Sequence, residues 1–320
     1  MQKRTLGRSH LEISVLTFGC WQAGNSGWND TDDSSSLAAM RAAYDAGITC
    51  FDTAEGYGEG HSEELVGQFL RELGDPGVLV ASKVGENHLA AAAVRRSCEA
   101  SLRRLGRDTI DLYQIHWPAG TWGGAVVPIE ETMSALLELH SEGKIGAIGV
   151  SNFNGAQIEE ALQLGPIASL QPPYSLFFQP YERNGTVEVC LRHQIGIIPY
   201  SPLAQGLVTG KFTCENRPTD NRAGNILFKD PTYELALEAV EKLKPIAQKY
   251  GASTGQLALA WLIAQPGITS SIVGARNAEQ ISDSAKAAAL SIEPADLEAI
   301  TSISKPVIES QPQNQTNPWK

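Results

Sequence analysis

Short, almost wholly apolar runs recur along the chain at Ser14–Cys20, Ile48–Phe51, Val78–Ala81, Ile110–Ile115, Ile145–Val150, Ile167–Leu170, Gly196–Tyr200 and Ile268–Val273. Runs this short and this continuous are expected of parallel strands buried on both faces. Between them the apolar period lengthens from two to about 3.6, the helical value. Leu37, Met40 and Tyr44 fall on one helical face, and Leu65, Phe69 and Leu73 on another. Val94, Cys98, Leu102 and Leu105 form a third stripe, and Ile129, Met133 and Leu136 or Leu137 a fourth. Pro128 stands near a first turn, while Gly47, Gly74, Gly106 and Gly143 follow last turns, as helix boundaries require.

Eight strand runs, nearly every one followed by a helix, predict an α/β fold: a single closed (β/α)8 TIM barrel over residues 1–320. A doubly wound open sheet is the competing arrangement, and the regularity of the units favours closure. Residues 1–14 contain a short hairpin, Arg4 to Ser14, placed to plug the bottom of the barrel. The longest irregular stretch, 202–232, is rich in Gly, Asn, Asp and Pro and predicts a lid or binding loop. Residues 305–320 read as a polar, Pro-containing tail whose Trp319 is placed to fold back over a pocket.

Composition narrows the function classes. With 320 residues, 42% of them hydrophobic, the chain has a sizeable core without disulfide or metal staples. A net charge of −11 argues against nucleic acid, whose phosphates need a surplus of Lys and Arg, but not against a small anionic ligand. No run approaches the ~20 apolar residues of a membrane span, and the first residues have no apolar signal core. Five cysteines at 20, 50, 98, 190 and 214 form no CxxC and no zinc spacing, which suits a reducing compartment. The expectation is a cytoplasmic monomer with no nucleic-acid or membrane partner, since no helix shows a second apolar face.

Two glycine-rich segments mislead. Gly56-Tyr57-Gly58-Glu59-Gly60-His61 follows a strand, but His61 stands where a dinucleotide fingerprint needs its third glycine. Gly206 to Lys211 is too short for a phosphate loop and is followed by Phe212. Lys211 on that glycine-rich loop is still placed to touch a phosphate.

Polar residues at the C-terminal strand ends of a barrel read as chemistry. Here those ends carry Asp52, Lys83, His116, Ser151 with Asn152, Gln171, and Tyr200 with Ser201. One histidine or lysine in such a place is commonly structural or solvated. Several converging from different strands on one mouth are not explained that way. A tyrosine hydroxyl ionises near pH ~10, a nearby ammonium lowers that value, and a carboxylate holds the ammonium in place. Tyr57 lies on the loop leaving the second strand, so Tyr57 suits a general acid tuned by Lys83 and Asp52, with His116 hydrogen-bonding a carbonyl oxygen. No nucleophile motif and no clustered metal ligands compete. Protonating a carbonyl oxygen is productive when a hydride reaches its carbon, which requires a nicotinamide or a flavin.

These residues sit in motifs that resemble the aldo-keto reductase family. They are GITCFDTAEGYGEGHSE around Asp52 and Tyr57, ASKVG at Lys83, YQIHWP at His116, GVSNF at Ser151 and Asn152, QPPYS at Gln171 and Tyr174, YSPLAQGLVTGK from Tyr200, and VGARNAEQ ending at Gln280. The resemblance runs in order through essentially the whole chain. It implies a barrel reductase that uses NADPH without a Rossmann fold and reduces aldehydes or ketones to alcohols. Asp52, Tyr57, Lys83 and His116 become the catalytic tetrad, with Tyr57 as proton donor. Ser151, Asn152 and Gln171 are expected on the nicotinamide carboxamide, and Tyr200 stacked on its ring. Ser201, Leu203, Gln205, Gly206 and Lys211 are expected along the pyrophosphate. Gly274 leads to Arg276 at the 2′-phosphate, where a guanidinium fork suits a dianion, and Gln280 meets the adenine end. Gly19, Cys20 and Trp21, together with Trp117 and Phe153, are expected around the cofactor and a largely apolar substrate pocket.

The pattern departs from many relatives after Gln280, where Asp283 is followed by Ser284 rather than Asn. That leaves NADH as the alternative cofactor. A second class of function, an NADPH-binding redox-sensing subunit of a larger assembly, uses the same site with slow turnover. A third, a Schiff-base lyase on Lys83, would be trapped by borohydride.

Overall fold

The computed structural model describes residues 1–25, 32–313 and 315–319. An antiparallel hairpin, β1 (Lys3–Thr5) and β2 (Glu12–Ser14), precedes eight parallel strands. These are β3 (Leu16–Gly19), β4 (Cys50–Asp52), β5 (Leu79–Val84), β6 (Ile110–Ile115), β7 (Ile145–Ser151), β8 (Ser169–Gln171), β9 (Gly196–Ile197) and β10 (Ser271–Gly274). From β3 to β9 each pairs with the next, and β10 pairs with β3. The remaining seam is closed by backbone bonds from Ile197 N to Gly267 O at 3.1 Å, Thr269 N to Ile197 O at 2.8 Å and Ile272 N to Pro199 O at 2.8 Å. The sheet is a (β/α)8 barrel. All eight apolar runs supply its strands.

The interior is layered because strand side chains alternate. At the bottom, Cys50, Ala81, Leu112, Ala147, Ile198 and Ile272 form one buried cluster with Leu6, Leu11 and Ile13 of the hairpin. Two residues further along the same face stand Asp52, Lys83, Gln114, Gly149, Tyr200 and Gly274. A Cβ on Gly149 would collide with Ser169 Oγ and lie 2.8 Å from Gln114 Cγ, so glycine is needed where the polar layer is most crowded. Arg4 locks the plug by donating to Ile263 O at 2.9 Å and Ile268 O at 2.7 Å.

Helices Asp33–Asp45, His61–Leu73, Ala91–Leu105 and Ile129–Ser141 bury the expected stripes, including Met40, Phe69, Val94 and Met133. Gly47, Gly74, Gly106 and Gly143 take φ of +89°, +69°, +65° and +74° after them, the left-handed values that end a helix.

Two segments differ from expectation. The tail begins later than residue 305, because the last helix, Pro294–Glu309, runs through Pro306. Burial of Val307 and Ile308 on its inner face, with Ile308 O accepting from Arg183 at 3.2 Å, outweighs the one helical bond that proline removes. The 202–232 stretch is not structureless: it holds 3-10 turns at Ala204–Thr209, Asn221–Gly224 and Ile226–Phe228, and Leu227 and Phe228 are buried.

Candidate active site

Strand register brings the central groups together. Lys83 on β5 lies opposite Gln114 on β6, and Asp52 ends β4 beside them. The Lys83 ammonium donates to Asp52 Oδ1 at 2.6 Å, to Thr53 O at 2.8 Å and to Tyr57 Oη at 3.4 Å. The other Asp52 oxygen accepts from Gln171 Nε2 at 2.8 Å and Gln114 Nε2 at 3.3 Å. Lys83 is 0% exposed and Asp52 2%, so both charges sit in the floor. The Tyr57 ring meets the His116 ring edge-on, with centroids 5.6 Å apart.

Burial dominates the electrostatics. It pushes the Tyr57 hydroxyl above its ordinary value, against the downward pull of Lys83, so the phenol keeps its proton. The expected net lowering of Tyr57 by Lys83 is therefore corrected: the ammonium acts in that direction but is outweighed by desolvation. Burial would lower Lys83, but Asp52 and Tyr57 together hold it above the usual lysine value. Burial, then the Lys83 charge, lowers His116 to about 3, which leaves a neutral imidazole.

The floor opens into a cleft of about 1150 Å³. On one side Asn152, at φ +63°, is a hub. Its Nδ2 donates to His116 O at 3.0 Å and Ser151 Oγ at 2.9 Å, and its Oδ1 accepts from Tyr200 Oη at 3.0 Å. Ser151 Oγ donates to Gln171 O at 2.8 Å. Ser201, Ala204, Gln205 and Gly206 all have positive φ, a concentration of left-handed backbone that marks binding loops. Gln205 Nε2 donates to Ser201 Oγ at 2.8 Å, and Lys211 lies over Gly206, where a Cβ would stand 2.7 Å from Nζ. Gln280 Oε1 accepts from Arg276 N at 3.0 Å, which fixes the Arg276 backbone at the rim. Lys211 is lowered by partial enclosure and then by repulsion from Arg222 and Arg276, against the opposing pull of Asp220, which is itself paired with Arg222.

The model of the aldo/keto reductase family matches residues 15–305. The chain belongs to that family. It is 37% identical to aldo-keto reductase YhdN of Bacillus subtilis, covering 88% of this chain and 87% of that one. It is 33% identical to an NADH-specific methylglyoxal reductase of Escherichia coli, over 92% and 96% of the two chains. It is also 33% identical to a probable voltage-gated potassium channel subunit beta of Oryza sativa, over 90% and 91%. Among solved structures, the glycerol dehydrogenase AKR11B4 of Gluconobacter oxydans superposes with a TM-score of 0.85 at 32% identity, with 97% of each chain covered. An aldo-keto reductase of Klebsiella pneumoniae in complex with NADPH superposes with a TM-score of 0.77 at 29% identity, with 99% of each covered.

In this family member Asp52, Tyr57 and His116, the expected cofactor contacts from Ser151 to Gln280, and Trp21 and Trp117 all line the cleft, and Lys83 lies beneath it. Two residues also expected around the pocket do not reach it. Phe153 is 3% exposed in the core, because left-handed Asn152 turns the chain inward before it. Cys20 is likewise buried, while Gly19 and Trp21 reach the cleft. Sequence reasoning missed Gln114, Arg222 and Trp122. Gln114 was legible as the polar residue between Leu112 and His116 at strand spacing. Arg222 enters the wall from the 3-10 turn Asn221–Gly224, and Trp319 lines the cleft from the tail, which Ile226 N ties by donating to Pro318 O at 3.0 Å.

Proposed function

We propose that the protein is an NADP(H)-dependent reductase of aldehydes or ketones in which Tyr57 donates the proton. The observation that carries this reading is a buried ammonium 3.4 Å from a protonated phenol at the floor of a large cleft. At about 1150 Å³ the cleft exceeds the ~300–1,000 Å³ usual for one small ligand, which suits a dinucleotide together with a small carbonyl compound.

The residues fit the cofactor. Both Gln171 amide hydrogens face Asp52 and Gln114, so its Oε1 is left as an acceptor suited to a carboxamide amine. Lys211 and Arg276 supply the positive charge that a pyrophosphate and a 2′-phosphate need, beside Arg222, whose guanidinium is paired with Asp220. Among the described residues, the Arg276 guanidinium has no hydrogen-bonded partner of its own, which favours NADPH over NADH. When bound, the reduced nicotinamide supplies a hydride to the carbonyl carbon.

The chain's own groups do the rest. Tyr57 gives its proton to the carbonyl oxygen, and the Lys83 ammonium stabilises the phenolate left behind. Asp52 keeps that ammonium charged and fixed, and Gln114 and Gln171 keep Asp52 in place. Neutral His116 serves as a hydrogen-bond donor to the carbonyl oxygen without adding a second charge. Trp21 and Trp117 wall the substrate end.

Replacing Tyr57 with Phe tests the reading. The variant is expected to lose reductase activity by about 10²–10⁴-fold while binding NADPH as the parent does. Parent-like turnover of a good aldehyde would remove Tyr57 from the role. The likeness to a channel subunit keeps a second reading, a redox-sensing subunit. Slow turnover on every carbonyl tested, with a stable large complex in cell extract, is the result that favours it.

A further inference from the structure

Ser62 and Glu63 open the helix His61–Leu73 and are both 0% exposed, behind the cleft wall rather than in it. Ser62 Oγ donates to Cys20 O at 2.8 Å and pairs with Thr53 Oγ1 at 2.9 Å. The Glu63 carboxylate bridges two other elements. Its Oε1 accepts from Ser82 Oγ at 2.5 Å, and Ser82 directly precedes Lys83 on β5. Its Oε2 accepts from Arg104 Nε at 2.7 Å and Nη2 at 2.6 Å.

Arg104 comes from the helix Ala91–Leu105 and lies against Gly60, where a Cβ would stand 2.6 Å from both Cδ and Nε. Gly60 closes the turn Tyr57–Gly60, whose residues Gly58, Glu59 and Gly60 take φ of +61°, +54° and +100°. A non-glycine residue in that conformation persists where its surroundings over-determine it. The turn is clamped from its other side by Gly24, where a Cβ would stand 2.7 Å from the carbonyl carbon of Tyr57. One buried carboxylate therefore joins the strand that carries Lys83 to the arginine pressed on the turn that carries Tyr57.

We propose that Arg104, anchored by Glu63, is a positioning residue that holds the Tyr57–Gly60 turn where the Tyr57 hydroxyl meets the Lys83 ammonium. The inference rests on Tyr57 as proton donor. Glu63 is wholly buried while Arg104 keeps 23% of its side chain exposed at the cleft; desolvating the carboxylate offsets much of the attraction, and fixing one geometry among several is the better-attested use of such a pair. The pair also lies at the right place for that use, pressed on a turn of three successive left-handed residues.

The test compares Arg104→Met, Arg104→Lys and the double variant Glu63→Gln with Arg104→Met, alongside Tyr57→Phe. The double variant leaves no uncompensated buried charge, so it reports on the bridge even where Arg104→Met alone unfolds. For the folded Met-containing variants kcat is expected to fall about tenfold or more, with the carbonyl KM and the NADPH Kd within about twofold of the parent. Arg104→Lys, which keeps a cation beside Glu63, is expected to recover part of the loss. Parent-like kcat in the folded double variant overturns the inference, and so does a raised carbonyl KM at unchanged kcat, which would make Arg104 a substrate contact. An inactive Tyr57→Phe beside a parent-like double variant leaves the proton donor standing and removes only the positioning role. An active Tyr57→Phe removes both.

Discussion

Lys83 meets Tyr57 from below, its ammonium 3.4 Å from the phenol oxygen and wholly enclosed by protein. The lysine is therefore shut off from solvent and touches Asp52, Thr53 O and Tyr57, so in the proposed reaction it would act through Tyr57 and Asp52. Lys83→Met removes the cation from a buried pair. Activity is expected to fall by about 10²–10⁴-fold. Stability to urea is expected to fall by about 3–5 kcal/mol, because Asp52 is left as an uncompensated buried charge. Carbonyl reduction and denaturant unfolding measure the two effects separately.

His116 has a folded value near 3 against an ordinary 6.5. Between those values the unfolded chain holds a proton that the folded chain does not, so the stability from keeping His116 neutral is present above pH ~6.5 and is lost as pH falls toward ~3. The melting temperature of the parent is expected to fall more steeply on acidification than that of His116→Gln. The same neutrality predicts no His116 ionisation in the kcat/KM profile above pH ~5, where a histidine of ordinary value would titrate.

Arg276→Ala is expected to raise the KM for NADPH about 10–100-fold, the loss of charge-assisted bonds to one phosphate. The KM for NADH is expected to stay near its parent value. Initial rates with each nucleotide decide it, and an equal effect on both would take the 2′-phosphate away from Arg276. Added salt is expected to raise the parent's NADPH KM in the same direction, by screening Lys211, Arg222 and Arg276.

Asn152 joins His116, Ser151 and Tyr200 from a left-handed backbone position. Asn152→Ala is expected to destabilise the fold by about 1–3 kcal/mol through unpaired buried groups. Asn152→Gly loses the same bonds but adopts φ +63° without strain, so it is expected to be more stable than the alanine variant by about 1 kcal/mol. Thermal or denaturant melts of the pair separate strain from hydrogen bonding.

The local pattern of the chain was enough to determine the eight strands, the hairpin plug, the ends of the first four long helices and the polar residues at the strand ends, Asp52, Lys83, His116, Gln171 and Tyr200. Periodicity and turn chemistry are properties of neighbouring residues, so one sequence exposes them. Tertiary packing decided the rest. Glu63 and Arg104 are 41 positions apart, and no local signal says that one carboxylate will join them to Ser82. The side-chain amides of Gln114 and Gln171 find Asp52 only after β4, β6 and β8 have curled around a common axis. Phe153 lies in the core and Arg222 in the wall because a left-handed residue and a 3-10 turn redirect the chain, and Tyr57 keeps its proton because desolvation outweighs Lys83. Which groups meet, and how far water is kept from them, follows from closing the barrel, and that is a property of the whole fold.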